Sequence, residues 1–166
     1  MCEILDARIP MASRNPDIDR LAGDKPRIVV LNRTDLADPK ATARWHTAFQ
    51  RQSMTVLETD SRSGKGVNGF AGAVRTALRD KIEAYAAKGQ VGRPMRVMVL
   101  GIPNVGKSTF INSFAGTTRA KAANKPGVTR GKQWISVDNF DLMDMPGVLW
   151  KKFDSLETAS NLAFIG

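Results

Sequence analysis

Lys107 and Ser108 close an eight-residue segment, Gly101-Ile102-Pro103-Asn104-Val105-Gly106-Lys107-Ser108, whose glycine, lysine and hydroxyl spacing suits the holding of phosphate groups. Glycines at 101 and 106 let a backbone curl until its N–H groups point inward at phosphate oxygens, helped by the N-terminal end of a following helix. Lys107 can then reach the β and γ phosphates of a nucleotide, and Ser108 offers a hydroxyl to Mg²⁺. Asn104, Val105, Gly106 and Thr109 belong to the same wrap and join the expected nucleotide-binding set.

Further along the chain, Asp144-Met145-Pro146-Gly147 follows the apolar stretch FDLM. A carboxylate placed there would hold the magnesium shell, and the Gly147 N–H would meet a γ-phosphate. Asp-x-Pro-Gly by itself is a common turn; its place at a strand end after a phosphate loop gives it chemical meaning. Thr129, in KPGVTRG between the two motifs, is a candidate second hydroxyl for Mg²⁺. Thr117 and Thr118 are alternatives that sit too close to the first helix to swing over the metal. Lys107, Thr129 and Gly147 are thus the expected catalytic contacts, with Ser108, Thr129 and Asp144 around Mg²⁺.

A base reader is also present. Guanine offers two adjacent donors, a ring N–H and an exocyclic amine, which one carboxylate can accept as a pair, whereas adenine lacks that pair. Asp35, in Asn32-Arg33-Thr34-Asp35, supplies such a carboxylate. Asn32 can contact the base and tie its loop to the phosphate loop, and the stem of Arg33 can cover the base plane. Thr59 to Gly64, with Ser61 and Arg62, gives a second wall where a backbone N–H could meet the guanine carbonyl. Together these features favour GTP and GDP over ATP. The base reader stands about seventy residues ahead of the phosphate loop, the reverse of the usual order in GTP-binding switches.

Such loops need rigid supports. Apolar runs alternate with helical patterns, which predicts βα units and a mostly parallel sheet of about six strands with helices on both faces. The strands are expected at Cys2 to Leu5, Arg27 to Leu31, Met54 to Glu58, Arg96 to Leu100 and Phe140 to Met143, with Gln133 to Val137 as an antiparallel hairpin partner. Helices are expected at Asp17 to Ala22, Pro39 to Gln52, Val67 to Lys88, Ser108 to Ala115 and Leu156 to Ile165. The reading is a single α/β domain over residues 1–166. A base-reading half at 1–88 is joined through a Gly/Pro linker at 89–94 to a phosphate and switch half at 95–166. The linker is the expected join of a circular permutation.

Composition narrows the classes further. The 166 residues suit one domain, and the single Cys2 with no Cys/His cluster points to a reducing, cytoplasmic compartment and away from a zinc site. No apolar run approaches the roughly 20 residues that cross a bilayer, so no membrane partner is expected. The N-terminus carries acids where a targeting peptide would be basic. A net charge of +9 favours a polyanionic partner. Seven cations, Arg119, Lys121, Lys125, Arg130, Lys132, Lys151 and Lys152, are interleaved with Trp134, Trp150 and Phe153, a mixture that suits RNA rather than DNA. Trp134 alternatively belongs to the core. His46 reads as a surface residue, not a base. The expected state is a monomer.

DARIP with SRNP at 6–16, KPRIVVLNRTD at 25–35, GIPNVGKSTFIN at 101–112, KPGVTRG at 125–131 and DMPGVLWKKF at 144–153 together resemble the circularly permuted ribosome-assembly GTPases of the YlqF/RbgA family. The resemblance covers essentially the whole chain. It implies a Ras-like P-loop GTPase fold, GTP hydrolysis, and binding to a precursor of the large ribosomal subunit and its rRNA. Val148 takes the place of a water-orienting glutamine and cannot hydrogen-bond, so slow intrinsic hydrolysis stimulated by a particle is expected. Asn104 matches the position that coordinates K⁺ in related GTPases, so potassium dependence is expected. Family members carry an N-terminal segment ahead of DAR and a helical domain after the switch region. Neither lies within these residues, so the sequence reads as a fragment. The alternative reading is a GTP/GDP-dependent RNA-binding module with negligible hydrolysis of its own.

Overall fold

The structure is a computed structural model that describes residues 1–117, 133–147 and 156–165. Its strands are β1 (Cys2–Asp6), β2 (Ile28–Asn32), β3 (Thr55–Thr59), β4 (Met95–Leu100), β5 (Gln133–Val137) and β6 (Phe140–Asp144). Each lies within one residue of the apolar run that predicts it. The sheet order is β3-β2-β1-β4-β6-β5, parallel throughout except where β5 runs against β6. The strand that opens the chain therefore sits in the sheet interior, between β2 and the strand that leads into the phosphate loop.

The side-chain alternation of the strands feeds two cores. Ile4, Ile28, Val30, Val97 and Val99 turn to one face, where they meet Phe70 and Val74 of helix α3 (Phe70–Ala77) and Phe110 and Phe114 of helix α5 (Lys107–Thr117). Phe70 sets its ring edge-on to Phe110 and Phe114, at 5.0 Å in both cases. Each such fully buried ring is worth about 1.5–3 kcal/mol of transfer free energy, so these three fix how α5 lies against the sheet. Leu5, Val29 and Leu31 turn to the other face and pack with Phe49 of helix α2 (Pro39–Arg51). Pro39 occupies the first turn of α2, where its missing N–H costs nothing, and the Asp38 side chain accepts from Ala41 N at 2.7 Å.

Helix α1 (Ile18–Ala22) is short, and α6 (Leu156–Ile165) closes the described chain. The segment expected as one helix from Val67 to Lys88 is a 3-10 turn at Val67–Gly69, then α3, then α4 (Arg79–Ala87). The break falls at Leu78, with φ −105° and ψ 8°. The reason lies in packing: α3 buries Phe70, Ala73 and Val74, whereas α4 buries nothing and leaves the sheet. Hydrogen bonds from Leu78 N to Val74 O and from Ile82 N to Leu78 O, both 2.9 Å, keep the two in continuity. No helix among the described residues is long and apolar enough to cross a membrane.

Candidate nucleotide-binding site

Four loops that carry the sequence motifs leave the same edge of the sheet. The register pairs Asp6 with Asn32 and Asn32 with Thr59, so the ends of β1, β2 and β3 are level, and β4 leads into the phosphate loop beside them. A parallel sheet gathers its loops at the carboxyl ends of its strands, where ligands of open α/β sheets bind.

Asn32 joins three of these loops. Its Nδ2 donates to the Val105 carbonyl at 2.9 Å, while its Oδ1 accepts from Ser61 Oγ at 2.7 Å, Ser61 N at 3.1 Å and Thr59 Oγ1 at 3.1 Å. The residue is buried, so each bond is made in a low-dielectric interior and none is surrendered to water. With both ends of its amide engaged in this way, the side chain serves as a strut. Arg33, in the left-handed region at φ 63°, donates from Nη2 to the Asn104 carbonyl at 2.6 Å. Asn104 is itself left-handed at φ 66°.

Asp6 completes the arrangement, and sequence reasoning missed it. Its fully buried carboxylate accepts Nε and Nη2 of Arg8 at 2.9 and 2.7 Å, and lies 3.4 Å from Nη1 of Arg33. Bonding to Asp6 holds the Arg8 guanidinium above its ordinary pKa. The signal was present in the DARIP stretch, which nucleotide contacts alone do not demand. Its role emerges once β1 is seen to end level with β2.

Two neighbouring cavities result. One of about 400 Å³ is lined by Pro103, Asn104, Gly106, Lys107, Ser108 and Gly147, among others. The second, of about 150 Å³, is lined by Asn32, Arg33, Asp35, Asp60, Ser61 and Arg62, among others. They share Arg33, Gly106 and Thr109, so the space over the phosphate loop continues into a space rimmed by the Asn32–Asp35 and Thr59–Gly64 loops. Asp35 is exposed within a 3-10 turn at Thr34–Leu36. Thr34 Oγ1 fixes that turn to the Thr59 carbonyl at 3.2 Å. In the companion loop, Ser63 and the Arg62 N–H hydrogen-bond to Asp60 and keep its carboxyl below the usual range.

The cradle is closed to side chains at two points. Gly106 has φ +90°, and a Cβ there would come within 2.5 Å of Asn32 Nδ2. A Cβ on Gly147 would sit 2.9 Å from Pro103 N, so the Asp-Met-Pro-Gly turn lies directly against the phosphate loop. Lys107 and Asp144 are both buried and paired with each other. A buried ammonium and carboxylate each need a partner, and each here has the other within reach. A polyphosphate and a divalent cation are the chemical complements of the two groups. The residues present therefore fit a nucleotide with Mg²⁺ at Ser108 and Asp144.

Thr118, Thr129, Val148, Trp150, Phe153 and the seven cations of the switch neighbourhood lie outside the described residues. Trp134 is described and is 48% exposed, so it is not a core residue. His46 pairs with Glu58 at 2.6 Å on the surface between α2 and β3.

A sheet of this order, with the Asn32–Asp35 loop ahead of the phosphate loop and both at the carboxyl ends of the strands, defines a circularly permuted P-loop GTPase domain. The family model described as "50S ribosome-binding GTPase" matches residues 96–164. A ribosome biogenesis GTPase A of Priestia megaterium is 44% identical over 166 residues, 99% of this chain and 58% of that protein. The Thermotoga maritima protein of the same name is 33% identical over 165 residues, 99% of this chain and 56% of its own length. Among solved structures, GNP-bound YlqF from T. maritima superposes with a TM-score of 0.64 at 31% identity, covering 97% of this chain and 57% of that one. The chain belongs to the YlqF/RbgA family of circularly permuted ribosome-biogenesis GTPases. It spans a little under three fifths of the length of these curated relatives.

Proposed function

We propose that this chain binds GTP and hydrolyses it to GDP and phosphate while acting in the assembly of the large ribosomal subunit, in the cytoplasm. The observation that carries the reading is the Asn32 strut, which ties the base-reading loop and its companion to the phosphate loop and so makes one continuous groove of them. Asp35 would accept the paired guanine donors, Ser61 and Arg62 would close the other wall, and Lys107 with the Gly106–Thr109 backbone would hold the phosphates.

Magnesium would be held by Ser108 and Asp144, with Thr129 as a further hydroxyl, and would supply positive charge beside the phosphates. The Gly147 N–H would steady the γ-phosphate. Asn104 would hold potassium beside it, adding positive charge where the transition state gains negative charge. With valine at 148, the attacking water has no side-chain partner there, so turnover alone is slow and the particle supplies the missing orientation. The names of the relatives, ribosome biogenesis GTPases, support this partner.

The test is GTP turnover by this chain in potassium and in sodium, with and without large-subunit precursors. Slow turnover that rises at least about tenfold on adding particles in potassium is expected. A rate indifferent to both particle and cation would overturn the proposed stimulation.

A further inference from the structure

We propose that the groove between α4 and residues 90–96, apart from the nucleotide site, docks single-stranded RNA. The identity of the partner rests on the reading of the chain as a ribosome-assembly factor, but the location rests on α4 and residues 90–96, which that reading does not use.

The α4 face made by Leu78, Lys81, Ile82 and Tyr85, spaced at i, i+3, i+4 and i+7, stands against the chain from Gln90 to Arg96 and encloses about 270 Å³. The left-handed glycines 89 and 92, at φ +72° and +82°, fold that chain back along the helix. Three cations, Lys81, Arg93 and Arg96, line the groove, and no carboxylate does. Asp80 and Glu83 occupy other positions on α4, outside the lining. Asp141 is the acid within reach, 3.9 Å from Arg96 Nε.

The aromatic residues settle the chemistry. The Arg93 guanidinium lies 5.3 Å over the Tyr85 ring, and that of Arg96 lies 5.6 Å over the Trp134 ring. Tyr85 is 40% and Trp134 48% exposed, so each ring keeps a surface open to a ligand. The two arginines stand three residues apart on one strip of chain, Arg93 against Tyr85 inside the groove and Arg96 reaching out of it to Trp134 on β5. Unstacked bases lie on such planes, while phosphates between them meet the cations. An A-form duplex keeps its bases stacked and out of reach of the rings. An acidic peptide would satisfy the charges but leave the rings idle.

The test uses this whole chain and a labelled single-stranded RNA of about twelve nucleotides, with the matching duplex and an acidic peptide as competitors. Tyr85→Ala and Trp134→Ala are each expected to weaken binding about tenfold while leaving the salt dependence unchanged. Arg93→Gln with Arg96→Gln should flatten the slope of log K against log salt by about 1.4, at about 0.7 per cation on a single strand. Arg44→Gln with Arg51→Gln, the same charge change on the exposed face of α2, should alter neither. GDP affinity, measured in parallel, should be unchanged in every variant, which separates failure of this site from failure of the GTPase reading. The proposal is overturned if the α2 pair weakens RNA binding as much as the groove pair, if the aromatic variants bind normally, or if duplex or peptide displaces the single strand.

Discussion

The Asp6 carboxylate stands 3.4 Å from Nη1 of Arg33, whose Nη2 donates to the Asn104 carbonyl at 2.6 Å. The end of the first strand thereby sets a residue of the loop after β2, and through it the backbone of the phosphate loop. Asp6→Asn keeps the shape and removes the charge that Arg8 and Arg33 share. Both arginines are partly exposed, so the loss belongs at the low end for a charged hydrogen bond, about 1.5 kcal/mol. That predicts a stability loss of about that size by denaturant titration, with weaker GDP binding read by displacement of a fluorescent analogue. Arg33→Lys should do the same, because a single ammonium lacks the planar fork that meets Asp6 and Asn104 together.

Gly106 and Asn32 form the second test. Alanine at 106 would put its Cβ 2.5 Å from Asn32 Nδ2 and force an L-residue to φ +90°, so the strut must move or the loop must open. Gly106→Ala is expected to abolish detectable nucleotide binding while the sheet still folds, which far-UV circular dichroism will show. Asn32→Ala strands the Val105 carbonyl and the Ser61 and Thr59 hydroxyls in a buried place. A stability loss of about 2–4 kcal/mol by denaturant titration is expected.

Cys2 gives a pH test of the sheet interior. Burial pushes its thiol from 9.0 up to about 12. The folded chain therefore keeps a proton that the unfolded chain releases above pH 9, and the state holding more protons loses ground as pH rises. Stability from this group is level below pH 9 and falls by about 1.4 kcal/mol per unit between 9 and 12. Cys2→Ala should flatten that limb of a Tm-against-pH profile relative to the parent chain. In the native parent, the thiol should resist alkylation at neutral pH until the protein unfolds.

Much of this molecule was legible in its sequence, for local reasons. All six strands follow from apolar runs stopped by turn residues. What escaped depends on long-range register or on tertiary cover. The break at Leu78 arises because α4 leaves the core, which helical periodicity alone does not record. The partnership of Asp6 with Arg33 exists because β1 and β2 end level, a pairing of residues far apart in the chain. The exposure of Trp134 depends on what packs over β5, so its type alone left core and surface open.

The central claim is that the loops brought together by Asn32 read guanine. Competition of GTP, GDP and ATP against a fluorescent GDP analogue, on this chain and on Asp35→Asn, tests it most directly. GTP and GDP should displace the analogue at concentrations on the order of a hundredfold or more below ATP, since a site built to accept paired donors rejects a base without them. Asp35→Asn should erase most of that preference. Equal displacement by ATP and GTP, or a preference untouched in Asp35→Asn, would contradict the account.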